Sequence, residues 1–151
     1  MISQEEQKPN KKKRCKVMLL GAEKSGKTFL ASKMSKQKIE PYKKTIDIKH
    51  YSKNSRNYEI DFYEVPDDKK GTSKMQDTDV QVIVISASQF KEKAARKKKA
   101  IPKSSTSAKE KSAAMDEVIE EFFSAIQAYV DYVNGNLDKN KQNIILVVNN
   151  L

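Results

Sequence analysis

Apolar residues form three short continuous runs along the chain, "CKVMLL" at 15–20, "VQVIVISAS" at 80–88 and "NIILVV" at 143–148. Continuous apolar runs of this length are typical of strands that are covered on both faces of a sheet. We therefore predict three buried strands, and we place the second of them in the centre of the sheet.

Two further segments alternate between apolar and polar residues, "TIDIKHYS" at 45–52 and "YEIDFYEV" at 58–65. Alternation with a period of two indicates strands that have one buried face. The two segments are joined by the short polar stretch "KNSRN", which is typical of a tight turn. The pattern thus predicts an antiparallel hairpin.

Two segments show the spacing of an amphipathic helix. In "GKTFLASKMSKQK" the residues Phe29, Leu30 and Met34 recur at helical spacing, and a longer helix is predicted over 115–135, with Gly135 as its C-cap. The apolar face of this second helix is formed by Val118, Ile119, Phe122, Ile126, Tyr129, Val130 and Val133. Strands that alternate with helices predict an α/β fold, with a mostly parallel sheet, one antiparallel hairpin at its edge and flanking helices.

The net charge of +10 is concentrated in two lysine-rich segments of the 151-residue chain. We expect residues 1–14 to be a disordered basic arm and residues 90–112 to be an unstructured basic insertion in a single domain over 15–151. Only three of the basic residues are arginines, and no aromatic residues alternate with the lysines, which makes a nucleic-acid interface unlikely. The alternative is that both segments attract an acidic membrane or RNA through charge alone.

Several classes of protein are excluded by simple features of the chain. One cysteine and one histidine cannot build a Cys/His zinc site. The chain shows neither a secretory leader nor an apolar run long enough to span a membrane. We therefore expect a cytoplasmic protein, with peripheral contact to an acidic membrane as an extension through its lysine-rich segments.

The strongest motif is "GAEKSGKT", which fits the phosphate-loop pattern G-x-x-x-x-G-K-[ST] between a predicted strand and a predicted helix. Glycines allow the backbone N–H groups to surround a phosphate, the lysine reaches the outer phosphates, and the last hydroxyl ligates Mg²⁺. The candidate nucleotide-binding residues in this loop are Gly21, Ala22, Glu23, Lys24, Ser25, Gly26, Lys27 and Thr28.

Together with the hairpin that follows, this loop resembles the P-loop NTPase domain of the Ras-superfamily small GTPases, with the Rab and Arf branches as the nearest ones. The resemblance covers residues 15–150 and implies GTP or GDP and Mg²⁺ as ligands. In that family a threonine after the first helix closes over the metal and the γ-phosphate, and Thr45 matches it. The resemblance implies Thr28, Thr45 and Glu64 as the metal site; the alternative for Thr45 is an ordinary strand residue.

The chain departs from the family at the motif D-x-x-G, where it has Glu64-Val65-Pro66-Asp67. A carboxylate at Asp67 brings like charge to the place where the family's glycine meets the γ-phosphate. The next residue is Asp68, where the family has a glutamine that orients the attacking water. The resemblance therefore implies weak or absent intrinsic hydrolysis.

A second departure lies at the guanine-reading motif N-K-x-D, which matches only at Asn149, because Asn150 stands in place of the lysine and the chain ends at Leu151. The last strand and the last helix of the small-GTPase fold are then missing. We expect either a truncated product or a partner that covers the exposed face of the sheet.

These observations predict a guanine-nucleotide-binding, small-GTPase-like protein of intracellular trafficking or signalling, with protein effectors or regulators as partners. One alternative is a pseudo-GTPase, an interaction module whose nucleotide is only structural. The others are a generic P-loop nucleotide binder that uses ATP, and a binder of membranes or RNA that works through its lysines.

Overall fold

The computed structural model of the protein describes residues 11–68, 77–100, 108–136 and 143–150. Its five strands are β1 (Lys13–Leu20), β2 (Lys49–Asn54), β3 (Tyr58–Glu64), β4 (Val80–Ser86) and β5 (Ile144–Asn149). Its three helices are α1 (Lys27–Ser35), α2 (Ala87–Ala100) and α3 (Ala108–Asn136). Residues 1–10 of the predicted disordered arm lie outside the described residues.

The five strands form one sheet in the order β2-β3-β1-β4-β5. All neighbouring strands are parallel except β2 and β3, which pair as an antiparallel hairpin. The continuous apolar runs occupy β1 and β4, near the middle of the sheet, where both faces of a strand are covered. The predicted α/β fold and its hairpin are confirmed.

The hydrophobic core lies on both faces of this sheet. On one face the residues Val17 and Leu19 of β1 pack with Phe62 of β3 and Ala31 of α1. On the other face the alternate residues Met18 and Leu20 pack with Val65 and with Val133 of α3. Adjacent residues of β1 thus face opposite helices, which explains why its apolar run is continuous.

Two strands begin at other residues than the sequence predicts. β1 begins at Lys13, and its first residues extend the parallel pairing with β3, where Arg14 Nε lies 2.9 Å from Glu59 Oε2. The prediction of disorder is therefore wrong for residues 13 and 14. β2 begins at Lys49, so that Thr45 lies in the preceding loop, because the pairing with β3 starts where Lys49 meets Glu64.

Helix α1 packs on the sheet through Leu30, as the apolar pattern predicts, and also through the smaller Ala31 and Ser32. Ala31 and Ser32 are buried, whereas Met34 is 43% exposed. The helix has Gly26 as its N-cap and ends with Lys36 in the left-handed conformation. The short side chains bring α1, and with it the preceding loop, close to the sheet.

Residues 90–100 form most of helix α2, so the prediction of an unstructured basic insertion is wrong there, and it is equally wrong for residues 108–112 of α3. Alanine, lysine, arginine and glutamate all favour helices, and the acids of α3 neutralise part of the charge. Lys97 Nζ lies 2.7 Å from Glu117 Oε1, and Lys93 Nζ lies 3.2 Å from Glu121 Oε2. The rest of the segment, 101–107, lies outside the described residues.

Helix α3 begins seven residues before the predicted start at Met115 and continues past Gly135, which is not its C-cap. Of its predicted apolar face, Val118 and Val133 are buried, while Ile119 is 46% exposed. None of the described helices has the length and apolar character needed to cross a membrane.

Strand β5 is an exposed edge strand, which corrects the prediction of a last buried strand. It pairs with β4 on one side, and most of its large apolar residues are exposed, Ile144, Ile145, Leu146 and Val148. A continuous apolar run therefore indicated a strand correctly here but did not indicate its burial. Among the described residues, α2 contacts β5.

Candidate phosphate-binding site

The phosphate loop runs from the end of β1 to the start of α1 and bends through unusual backbone angles. The φ angle is 147° at Gly21, 60° at Lys24 and 100° at Gly26. Positive φ angles turn consecutive peptide groups inwards and form a concave backbone surface that suits anions. The N-cap of α1 is Gly26, and among the described residues no side chain makes a capping hydrogen bond there. The first N–H groups of a helix are suited to binding anions.

Gly21 is required for a second reason, which is space. A Cβ atom at this position would lie 2.2 Å from the carbonyl oxygen of Val84 and 2.8 Å from Ser25 Oγ. The loop therefore leaves β1 in direct contact with the backbone of β4. This close approach fixes the height of the loop above the sheet.

The amino group of Lys27 is held at the centre of the loop. The side chain is buried, and Nζ donates hydrogen bonds to the carbonyl oxygens of Gly21 at 2.5 Å and Ala22 at 2.8 Å. Burial lowers the pKa of Lys27, and the charge of Glu64 is the largest of the effects that oppose this shift. A cation held in this way is placed to meet the outer phosphates of a nucleotide.

The three residues predicted as metal ligands meet beside this loop. Thr28 Oγ1 donates to Glu64 Oε1 at 2.6 Å, and Thr45 Oγ1 donates to the same oxygen at 2.7 Å. Glu64 itself is only 1% exposed. The structure thus joins the first turn of α1, the loop before β2 and the end of β3 at one carboxylate oxygen.

This cluster fits a divalent cation that prefers oxygen. Mg²⁺ binds carboxylate and hydroxyl oxygens and usually keeps waters and phosphate oxygens as its remaining ligands. The hydrogen-bond donors that Glu64 has among the described residues are neutral hydroxyls, and its negative charge also interacts with the ammonium of Lys27. A buried carboxylate oxygen beside two hydroxyls is a suitable ligand for a further cation. No group of three or more His, Cys, Asp or Glu side chains in the described ranges could hold a metal.

Tyr51 is a partner of this carboxylate that sequence reasoning missed. Its hydroxyl donates to Glu64 Oε2 at 3.1 Å from the neighbouring strand β2. Burial, followed by the charge of Glu64, raises the pKa of Tyr51 to about 12. The alternation in "TIDIKHYS" places Tyr51 on the face opposite Ile46 and Ile48, whereas in the structure Tyr51 is buried. The register of β2 against β3 brings it to Glu64.

A second contact that the sequence did not predict joins the loop before β2 to the phosphate loop. The Tyr42 hydroxyl donates a short hydrogen bond to Glu23 Oε1, and Lys44 Nζ lies 3.6 Å from Glu23 Oε2. This hydrogen bond raises the pKa of Tyr42 to about 12 and lowers the pKa of Glu23. The loop before β2 is thereby attached at two points, to Glu23 of the phosphate loop and to Glu64 at the end of β3.

Between these attachment points lies a cleft of about 440 Å³, within the usual range of small-ligand sites. The predicted site residues that line it are Glu23, Lys24, Ser25, Gly26, Lys27, Thr28, Thr45 and Glu64. Asp67 also lines the cleft, as the departure from D-x-x-G predicted. Gly21 and Ala22 do not line it; they support Lys27 through their carbonyl groups.

Asn149 lies behind the phosphate loop and does not line the cleft. Its Nδ2 donates to the carbonyl oxygen of Ser25 at 3.3 Å. Gln89, at the start of α2, makes a similar contact that the sequence did not predict, because its Nε2 donates to the carbonyl oxygen of Glu23 at 2.9 Å. The start of α2 and the end of β5 therefore both support the phosphate loop.

A phosphate loop between a central strand and a helix, with an oxygen cluster beside its lysine, defines the class of P-loop nucleotide-binding proteins. The chain belongs to the PduV-EutP family, described as "Ethanolamine utilisation - propanediol utilisation", whose model matches residues 14–95, more than half of the chain. This family has a P-loop NTPase-like domain of the small-GTPase type, so the resemblance is confirmed at that level and not for the Ras, Rab or Arf branches. A comparison with curated proteins found no match.

The contact of Gly21 with Val84 predicts a strong effect of a single methyl group. We expect Gly21→Ala to lower the free energy of unfolding by about 1–3 kcal/mol, because it strains both the backbone and the contact with β4. Urea unfolding followed by circular dichroism measures this.

Gly135→Ala is the matched control, because a Cβ there meets nothing within 4 Å and the residue is helical. It should leave stability unchanged or raise it by up to about 1 kcal/mol. Equal effects of the two substitutions would show that Gly21 is not tightly enclosed.

Proposed function

We propose that this protein binds a guanine nucleotide, GTP or GDP, together with Mg²⁺. The observation that carries the proposal is the convergence of Lys27 and of the cluster of Thr28, Thr45 and Glu64 on one cleft. A cation for the outer phosphates and an oxygen site for a metal are the two chemical requirements of nucleotide phosphate binding. The small-GTPase type of the family supports guanine as the base.

The phosphates are held by the backbone of the phosphate loop and by the amino group of Lys27 in this proposal. The carbonyl groups that Lys27 now contacts hold its amino group in place before a ligand arrives, which limits the ordering that binding requires. Thr28, Thr45 and Glu64 hold the Mg²⁺, which supplies charge neutralisation on the phosphate oxygens. Asn149 fixes the loop from behind through the carbonyl group of Ser25.

We propose further that hydrolysis of GTP is slow or absent without a partner. Besides Glu64 of the proposed metal site, the carboxylates that line the cleft are Glu23, Glu40 and Asp67. Their negative charges repel the triphosphate that the cleft would receive. The Tyr129 hydroxyl lies 3.4 Å from Asp67 Oδ1, so this carboxylate is also attached to α3. A water that attacks the γ-phosphate would lack the glutamine that orients it in the Ras-superfamily small GTPases.

The second candidate is a pseudo-GTPase whose nucleotide is structural. The same acidic side chains in the cleft favour it, because they weaken the distinction between triphosphate and diphosphate on which a switch depends. Both candidate functions require the nucleotide site. Only the pseudo-GTPase predicts that the loop 36–48 has the same conformation with GTP and with GDP. Hydrogen exchange of the loop 36–48 in the two complexes separates them.

The biological setting is a further proposal. We propose a cytoplasmic role in intracellular trafficking or signalling, with protein effectors or regulators as partners, as the resemblance to the Rab and Arf branches implies. The family description instead names ethanolamine and propanediol utilisation, which is the alternative setting. Contact with an acidic membrane would use the exposed lysines of α2 that do not pair with α3, such as Lys98 and Lys99.

The nucleotide site is tested by removing the amino group at its centre. We expect Lys27→Ala to weaken the affinity for GTP by about tenfold to a hundredfold, because it removes charged hydrogen bonds to phosphate. Equilibrium dialysis with labelled GTP and Mg²⁺ measures the dissociation constant. Lys33→Ala, at an exposed position of the same helix, is the matched control and should bind as the wild type does.

An unchanged affinity of Lys27→Ala for GTP would refute the phosphate site. Equal affinity of the wild type for GTP and ATP would contradict the guanine assignment alone and leave a generic P-loop nucleotide binder.

The charge of Asp67 gives a separate prediction about the third phosphate. We expect Asp67→Asn to raise the preference for GTP over GDP by roughly fivefold, which corresponds to the removal of about 1 kcal/mol of repulsion from the γ-phosphate. Competition dialysis of the two nucleotides gives this ratio. Asp47→Asn, an exposed loop carboxylate that does not line the cleft, should leave the ratio unchanged.

If Asp67→Asn and Asp47→Asn shift the ratio equally, the repulsion does not arise at the cleft.

A further inference from the structure

The carboxylate of Glu64 is held at both of its oxygens. Thr28 and Thr45 donate to Oε1, whereas Tyr51 donates to Oε2 at 3.1 Å. Tyr51 and Glu64 are both buried, with exposed fractions of 9% and 1%. One oxygen therefore faces the cleft with the threonines, and the other is anchored in the core.

The register of the hairpin explains how Tyr51 reaches this carboxylate. Tyr51 lies directly opposite Phe62, and Glu64 lies two residues further along β3, on the same face of the sheet. Such diagonal neighbours on an antiparallel pair are about 7–8 Å apart and within reach of long side chains. The contact is thus a product of the pairing of β2 with β3.

The hydrogen bond from Tyr51 matters because the side chain of Glu64 is long. A glutamate has one more rotatable bond than an aspartate, so its carboxylate reaches more positions and loses more entropy when it is fixed. The hydrogen bond from Tyr51 restricts this freedom before any metal is present. Partners that hold a ligand residue in place in this way typically contribute tenfold to a hundredfold to metal affinity.

We propose that Tyr51 is a positioning residue for a divalent-cation site made by Glu64, Thr28 and Thr45. Its phenol fixes Oε2, so that Oε1 stays beside the two threonine hydroxyls, where a hard cation such as Mg²⁺ finds its oxygen ligands. The inference rests on the proposed function in its choice of metal, but it concerns the chain's own residues and applies to the metal without nucleotide.

The test measures Mn²⁺ binding to the full chain by the electron paramagnetic resonance signal of free Mn²⁺, with Mn²⁺ as the probe for Mg²⁺. We expect Tyr51→Phe to weaken the affinity for Mn²⁺ by about tenfold, both alone and with a non-hydrolysable GTP analogue. Tyr63→Phe is the matched control. It lies on the same hairpin, its ring meets His50, and it should bind Mn²⁺ as the wild type does.

A second pair of variants distinguishes a positioning role of Tyr51 from a purely structural one. In Glu64→Gln, which lacks the anionic carboxylate, the further change Tyr51→Phe should not weaken Mn²⁺ binding any more. Tyr51→Phe could instead lower the melting temperature by the same amount in the wild type and in Glu64→Gln, and abolish Mn²⁺ binding in both. This result would show that Tyr51 acts only through stability.

Glu64→Asp provides a test that leaves Tyr51 intact. The shorter side chain cannot meet Tyr51 and both threonines at once, so we expect it to bind Mn²⁺ more weakly than the wild type. Equal or tighter binding by Glu64→Asp, or an unchanged affinity in a folded Tyr51→Phe, would overturn the inference.

The two proposals fail in different ways. A wild-type chain that binds Mn²⁺ with the Tyr51 effect but binds no nucleotide would refute the proposed function and keep the positioning role. If the chain binds the GTP analogue and Tyr51→Phe has no effect on Mn²⁺ affinity, the proposed function is kept and the positioning role is refuted. A wild-type chain that binds no Mn²⁺ in either titration would overturn the positioning role.

Discussion

The buried carboxylate of Glu64 is the interaction on which the rest of the site depends. Three hydroxyl groups donate to it, and they come from α1, from the loop before β2 and from β2 itself. An ionised group at 1% exposure is costly unless it is hydrogen-bonded, so these elements are held at fixed distances from the end of β3. The arrangement keeps the cleft formed while leaving a negative charge that favours a metal.

The parallel sheet explains why the cleft lies where it does. The ends of β1, β3, β4 and β5 all point to the same edge, where they supply the phosphate loop, Glu64, Gln89 and Asn149 in turn. Ligands of open α/β sheets bind at this carboxyl edge. The antiparallel strand β2 contributes differently, because its register with β3 brings Tyr51 to the carboxylate from the side.

Much of the fold and part of the site could be predicted from the sequence. The apolar runs indicated the central strands, and the spacing in "GAEKSGKT" indicated the loop and its lysine. Thr45 came from the family resemblance, although the alternation around it favoured a strand. Tyr51, Tyr42 and Gln89 could not be predicted, because their roles depend on distances across the fold and not on local spacing.

The errors have physical reasons as well. Residues 90–100 of α2 were predicted to be part of an unstructured insertion, because their lysines suggest a solvated segment when the acids of α3 are not considered. The apolar run of β5 suggested burial, yet in the described chain that strand lies at an edge with its large side chains exposed. Hydrophobic patterns thus report the type of an element more reliably than its place in the sheet.

We propose that one cleft binds the phosphates of a guanine nucleotide and a metal together. Isothermal titration of the wild-type chain with GTP, once with Mg²⁺ and once with a chelator, is the most direct test. We expect saturable binding at one site that Mg²⁺ makes tighter. Absence of binding in both titrations, or an affinity that does not respond to Mg²⁺, would contradict it.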